Sequence, residues 1–93
     1  MPFRTTLYPF NRPTIESLAP NTSGVYGLYH DYWVYVDKGN IRDRLLAHLN
    51  GDNSCITGQK PTYWVAEIIA GDPSSREKEL ILELGPICDK KIG

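Results

Sequence analysis

The chain has 93 residues, the size of one compact domain, which leaves no room for a second core. Its 23% charged content is ordinary for a globular domain, and no apolar run approaches the ~18 residues of a membrane span, so membrane insertion is set aside. A net charge of −1 argues against broad electrostatic binding of nucleic acid, because backbone affinity comes mainly from Lys and Arg displacing condensed counterions; any such contact has to be local.

Met1-Pro2-Phe3-Arg4 is not followed by an apolar core with a small-residue cleavage pattern, so no secretory signal is expected. Residues 1–23, rich in Pro, Thr and Asn, read as an irregular arm with one helical turn near Thr14–Leu18. Pro20-Asn21-Thr22-Ser23 then punctuates the chain, and 24–93 reads as the folded domain. Gly24–Tyr29 and Tyr32–Val36 are β-branched and aromatic runs separated only by His30-Asp31, the pattern of a tight β-hairpin. From Ile41 the period changes: Ile41, Leu45 and Leu49 recur every four residues and predict an amphipathic helix that Asn50-Gly51 stops. Residues 51–61 read as loop. Tyr63–Ile69 is apolar enough for a central strand, and Gly71-Asp72-Pro73 opens a last helix running to about Leu84, closed by Gly85-Pro86. The order ββαβα predicts an α+β sandwich in which helices cover a small three-stranded sheet. Cys55 and Cys88 lie far apart with no second pair for a zinc site, and two cysteines are too few to argue a disulfide framework; free thiols in a reducing cytoplasm are expected.

Both long helices place polar side chains against their apolar stripes. On the first, Arg44 and His48, four apart, project together from one margin of the stripe set by Ile41, Leu45 and Leu49. Taken singly, Arg44 reads equally as a solvated charge over apolar surface and His48 as a surface histidine. On the second, with Ser74 as zero, Leu80, Ile81 and Leu84 fall at roughly 240°, 340° and 280°, and Glu77 falls at roughly 300°, inside the stripe. A carboxylate there needs a partner, a proton or a metal. The alternative is a capping box, Ser74-x-x-Glu77, unless Asp72 caps the helix and Glu77 lies too deep to do so. Helix rules leave the two accounts level.

Taken together, these residues resemble the GIY-YIG nuclease domains. Gly24-Val25-Tyr26 is similar to the first signature and Tyr35-Val36-Asp37 to the second, the latter in a variant with YVD in place of YIG. Asn40-Ile41-Arg42-Asp43-Arg44-Leu45-Leu46-Ala47-His48 resembles the N-I/L-x-x-R-L-x-x-H helix, and Glu77-Lys78-Glu79-Leu80-Ile81 the E-x-x-L-I stretch. Each tripeptide is weak alone; the four in order span 24 to about 89.

The resemblance implies a metal-dependent endonuclease that hydrolyses phosphodiester bonds in nucleic acid, with DNA the expected substrate. It places Tyr26 and Tyr35 near the attacking water, with Tyr26 as general base or proton relay. A phenol, whose ordinary pKa is about 10, would need nearby positive charge or a metal-acidified water for that task. Arg44 would brace the scissile phosphate with its fork of donors, and His48 would hydrogen-bond Tyr26 or accept a proton. Lys38 and Arg42 are candidate substrate-binding residues, and Glu77 would be the single protein ligand of a Mg²⁺ or Mn²⁺ ion otherwise held by water and substrate oxygens. The tyrosines, without Arg44 and Glu77 downstream, would read as cross-strand packing.

Three departures stand out. The second signature ordinarily ends in glycine, where this chain has Asp37, adding bulk and negative charge beside an anionic substrate. Arg44 follows Tyr35 by nine positions (44 − 35), one fewer than the family pattern, and Asp89 stands where the family often has Asn. Asp37 either hinders the chemistry or supplies a second metal contact. The alternative functions are a degenerate module that binds nucleic acid without cutting, and a protein-interaction domain that uses the fold alone. Cutting both strands of a duplex would call for two sites, so a homodimer is expected in that case.

Overall fold

The β-branched and aromatic runs Gly24–Tyr29 and Tyr32–Val36 build the centre of the molecule. In the computed structural model, which describes Phe3 and residues 6–92, the last three by backbone alone, strands β2 (Ser23–Tyr29) and β3 (Trp33–Asn40) form the expected hairpin. Asp31 takes the left-handed turn conformation, φ 61°, for which Asp is better suited than most residues. The register jumps from Leu28↔Tyr35 to Tyr29↔Trp33, so Val34 is an extra residue, and this bulge puts Trp33 and Tyr35 in different core layers despite their spacing of two.

The sheet has four strands where three were expected. Strand β4 (Tyr63–Ile68) lies antiparallel to β2, and β1 (Tyr8–Pro9), drawn from the expected arm, pairs with Tyr63 and Trp64, giving the order β1-β4-β2-β3. That arm is also more ordered than an irregular segment. Helix α1 (Arg12–Glu16) is capped by Asn11, whose side chain accepts the Thr14 N–H, and Phe3 and Ile15 are buried in the core. The remainder of the expected arm (1, 2, 4 and 5) and residue 93 lie outside the described residues.

Helix α2 (Ile41–Leu49) starts without any loop. Asn40 is both the last residue of β3 and the cap whose side chain accepts the Asp43 N–H, and Gly39 makes the turn at φ 131°. This direct passage accounts for the short spacing from Tyr35 to Arg44. The expected loop over 51–61 contains α3 (Ser54–Gln59), capped by Asn53. Helix α4 (Ser74–Leu84) ends at Gly85 in the left-handed conformation, and a 3₁₀ helix covers Ile87–Ile92.

One core layer packs Tyr26, Leu28, Val34, Trp64 and Ala66 with Ile15 of α1, Ile41 and Leu45 of α2 and Ile56 of α3; the other packs Val25, Val36 and Val65 with Leu80 of α4 and with Phe3. Gly24 sits where β2 and β4 leave no room for a side chain, since a Cβ there would fall 1.9 Å from the Glu67 carbonyl oxygen. Cys55 of α3 and Cys88 of the 3₁₀ helix form a disulfide, with Cα atoms 5.8 Å apart, which corrects the expectation of free thiols. The pairing is spatial, between elements 33 residues apart, and the expectation of a reducing cytoplasm loses the support that free thiols lent it. No helix among the described residues is long and apolar enough to cross a membrane.

Candidate active site

Strand β3 is an edge strand, and the singled-out side chains gather along it from four elements. Cross-strand pairing sets Tyr26 of β2 opposite Asp37 of β3, and Tyr35 lies two residues before Asp37. Helix α2 contributes Arg44 and His48, one turn apart. Helix α4 brings Glu77 to the end of β3.

Tyr26 is fully buried, and its hydroxyl lies 2.8 Å from His48 Nε2. The other ring nitrogen of His48, Nδ1, lies 2.8 Å from Asp52 Oδ1. Burial pushes the His48 pKa down, so the ring is neutral near pH 7. A neutral ring has one N–H; the carboxylate of Asp52 can only accept, so Nδ1–H donates to Asp52 and Nε2 accepts the Tyr26 hydroxyl. The result is a directed chain, Tyr26 to His48 to Asp52. Asp52 was not among the expected site residues. It lies beyond the α2 stop at Asn50-Gly51, but its N–H bonds the Ala47 carbonyl and the chain folds back beneath His48.

The phenols hold their protons firmly. Burial first, then the charge of Asp37, drives the pKa of Tyr26 and of Tyr35 well above the ordinary value, and Arg44 offsets only part of this. Tyr35 is half-buried and donates to Asp37 Oδ2 at 2.9 Å; its ring meets His48 edge-on with centroids 5.3 Å apart. Arg44 stands in hydrogen-bonding reach of the Tyr26 oxygen and 3.8 Å from Asp37 Oδ2. The Arg44 side chain is 41% exposed, open toward solvent and a substrate.

Glu77 does not form a capping box: Pro73 is the cap residue, no side chain caps the helix through it, and Asp72 Oδ1 takes the Ser74 N–H. The Glu77 carboxylate instead turns to the site, 3.7 Å from Lys38 Nζ and in hydrogen-bonding reach of Asp37. Burial, then Asp37, raises the Glu77 pKa, while Lys38 works against the rise. Lys38 donates to Ser74 Oγ at 2.7 Å, a tie between β3 and α4 that sequence patterning does not disclose. Arg42 is not brought into this cluster: its partly buried side chain has an Nε with no hydrogen-bond partner, and no ion pair joins it to the site among the described residues. Asp89 buttresses the edge from outside, accepting the Val36 N–H at 2.7 Å, a group that an edge strand would otherwise leave unpaired.

Glu77 and Asp37 are hard oxygen donors, with no sulfur or imidazole beside them in the hydrogen bonds and ion pairs described, and suit Mg²⁺ or Mn²⁺ better than a softer ion. Among the described residues no group of three or more His, Cys, Asp or Glu side chains is arranged to hold an ion, so water and substrate oxygens would complete the shell.

No family model matches the chain, and no curated protein matches it. Solved structures do. The GIY-YIG N-terminal endonuclease domain of UvrC from Thermotoga maritima, bound to magnesium as its catalytic divalent cation, superposes with a TM-score of 0.67 at 22% identity, covering 80% of this chain and 93% of that one. Point mutants of the same domain, also bound to the catalytic cation, match with TM-scores of 0.66 and 0.67 at 22% and 20% identity, over 80% of this chain and 92% and 93% of theirs. With its antiparallel sheet, its α2 and α4 on opposite layers and the four motif segments meeting at the edge of β3, this chain has the GIY-YIG endonuclease-domain fold.

Proposed function

We propose that this domain is a metal-dependent endonuclease that hydrolyses phosphodiester bonds in nucleic acid, with DNA as the substrate. The observation that carries the reading is the convergence of Tyr26, Tyr35, Arg44, His48 and Glu77, from four separate elements, on one edge of the sheet.

Arg44 is open enough to meet a phosphate, and its fork of donors suits both the ground-state oxygens and the charge that builds on them during attack. A phosphate held there adjoins the Tyr26 oxygen. Because the Tyr26 phenol resists ionisation, it serves better as a relay than as a standing base. As the attacking water, admitted where the exposed Arg44 borders the buried Tyr26 oxygen, gives that oxygen a proton, the phenol passes its own proton to neutral His48 Nε2, and Asp52 stabilises the imidazolium that results. One P–O bond forms to the water oxygen and one breaks to the departing nucleotide. Glu77 would hold the divalent ion, which when bound supplies charge neutralisation and a more acidic water. Lys38, between Ser74 and Glu77, keeps a positive charge beside the site, whereas Arg42, partly buried in the first turn of α2 and outside the cluster, is given no part in it.

The test is cleavage of supercoiled plasmid, branched DNA, single strands and RNA with Mg²⁺, Mn²⁺ or EDTA, comparing the parent with Glu77→Ala. Metal-dependent cutting that the substitution abolishes is expected. A folded parent that cuts nothing, or a variant that cuts equally well, overturns the reading.

One observation favours a second reading: Asp37, in the glycine position, already engages Tyr35 and faces Arg44, placing a carboxylate where a phosphate would sit. Tight, metal-independent binding of nucleic acid without turnover would select a binding module in place of a nuclease. Cleavage of both strands at one place would require a homodimer, to be read from sedimentation in the presence of duplex.

A further inference from the structure

We propose that Asp37 is a second protein ligand of the divalent ion, beside Glu77, so that this chain grips the metal with two carboxylates from two elements. The inference rests on the nuclease reading and deepens it.

Position comes first. Asp37 lies near the end of β3 and Glu77 in the first turn of α4, with their carboxyl groups in hydrogen-bonding reach. Two carboxylates that close repel each other unless a proton or a cation lies between them. A glycine at 37 would offer no side-chain donor at all.

Spare coordination capacity comes second. The Asp37 carboxylate accepts the Tyr35 hydroxyl on Oδ2 and the Lys38 N–H on Oδ1, which uses two of its roughly four lone-pair sites. The same two bonds fix its rotation.

The nearby cations are the third consideration, since they offer the competing explanation of a self-neutralised surface cluster. Helix α4 itself shows what a structural ion pair looks like in this protein: Arg76 grips the buried Glu67 carboxylate through Nε and Nη2, both at 2.9 Å. At the site, Lys38 stands 3.7 Å from Glu77 and Arg44 stands 3.8 Å from Asp37, close to an ångström longer. Lys38 spends its short bond on Ser74. Lys38 is also in hydrogen-bonding reach of Glu77, but only at this longer distance, so the two cations temper the charge and leave lone pairs on both carboxylates open to an ion. Two such ligands still leave roughly four positions of an octahedral shell for water and phosphate oxygens.

A second carboxylate makes the ion less dependent on substrate oxygens, so its loss should weaken binding in the absence of nucleic acid. The experiment is calorimetric titration of Mn²⁺ into the full chain without nucleic acid, for the parent, Asp37→Asn, Asp37→Gly and Glu77→Gln, with thermal unfolding of each apo protein as the folding control. Asp37→Gly restores the residue of the GIY-YIG signature and provides a second variant should Asp37→Asn fail to fold. The expected result is saturable binding by the parent, with an apparent Kd raised about tenfold or more by each substitution and apo Tm values little changed. Binding by the Asp37 variants equal to or tighter than the parent's, while Glu77→Gln loses it, overturns the inference and leaves the nuclease reading intact. So does a parent that takes up no Mn²⁺ alone yet cuts nucleic acid when Mn²⁺ is added. A parent that neither binds Mn²⁺ nor cuts sinks both.

Discussion

Tyr26 and His48, 22 residues apart on a strand and a helix of the same core layer, are joined by a 2.8 Å hydrogen bond between two buried side chains. A buried phenol and a buried imidazole satisfy each other there, and Asp52 closes the chain at the surface end, where its side chain is 38% exposed. The bond therefore serves the fold and the chemistry at once, and the two uses can be separated.

Tyr26→Phe keeps the ring and removes only the hydroxyl. It leaves His48 Nε2 buried without its donor, at a cost of about 1–3 kcal/mol in denaturant unfolding. Cleavage should fall by roughly 100-fold or more, because the relay loses its first member. Asp52→Asn separates the roles further. With Asp52 half in solvent, stability should change by less than about 1 kcal/mol, while kcat falls roughly tenfold because the amide cannot stabilise the imidazolium. Equal turnover in Asp52→Asn and the parent would remove Asp52 from the mechanism.

The lowered pKa of His48 carries a sign that unfolding can check. In the unfolded chain the imidazole takes a proton near its ordinary 6.5, whereas in the folded chain burial holds it neutral to a lower pH. Between those two values the unfolded state binds more protons, so stability is full above about 6.5 and is lost as the pH falls toward the depressed folded value, by at most about 1.4 kcal/mol per pH unit. Urea unfolding of the parent from pH 7.5 to 5, minus that of His48→Gln, isolates the contribution. A flat difference would mean that His48 titrates alike in both states.

Gly24 opens the first signature, and its requirement is steric. A Cβ would lie 1.9 Å from the Glu67 carbonyl oxygen and 2.9 Å from the Ile69 nitrogen, both backbone atoms of or next to the paired strand β4, which cannot step aside without breaking register. Gly24→Ala should cost at least about 3 kcal/mol or abolish folding, measured by denaturant unfolding. A variant as stable as the parent would show that the strands part more easily than their pairing implies.

Which features could be read from the chain follows from how local their causes are. The β2–β3 hairpin is written in two runs and a two-residue turn, and α2 in a four-residue repeat with an asparagine cap, so both lie where the pattern puts them. Strand β1 is two residues long and exists only because Tyr63 and Trp64 offer an edge to pair with; no local pattern marks such a strand. Helix α3 is brief, and its signal, Asn53 before Ser54, is easily read as loop punctuation, whereas the helical turn expected near Thr14–Leu18 overlaps α1, which starts two residues earlier, at Arg12, behind its Asn11 cap. At the candidate site the motif order leads to Tyr26, Tyr35, Arg44, His48 and Glu77. Helical angle alone left Glu77 level between cap and site, and only the packing of α4 against β3 turns it to Asp37. Asp52 escaped because its approach to His48 depends on a turn after the helix has ended.

The disulfide was illegible for the same reason, and it tests how the C-terminal segment supports the site. Cys88 immediately precedes Asp89, whose carboxylate holds the Val36 N–H between Tyr35 and Asp37, and the bridge anchors that segment to α3. Closing a loop of 33 residues stabilises by about 3–4 kcal/mol on the chain-entropy account. Cys55→Ser/Cys88→Ser, or reduction of the parent, should lower unfolding stability by about that amount at most, since the half-buried Cys88 side still packs on the core. Cleavage measured well below the lowered Tm should then fall, and a further Asp89→Ala substitution should add little in the double serine background but much more in the oxidised parent. Full additivity of the two changes would show that Asp89 keeps its grip on β3 without the bridge, and that the cystine stabilises the fold without reaching the site.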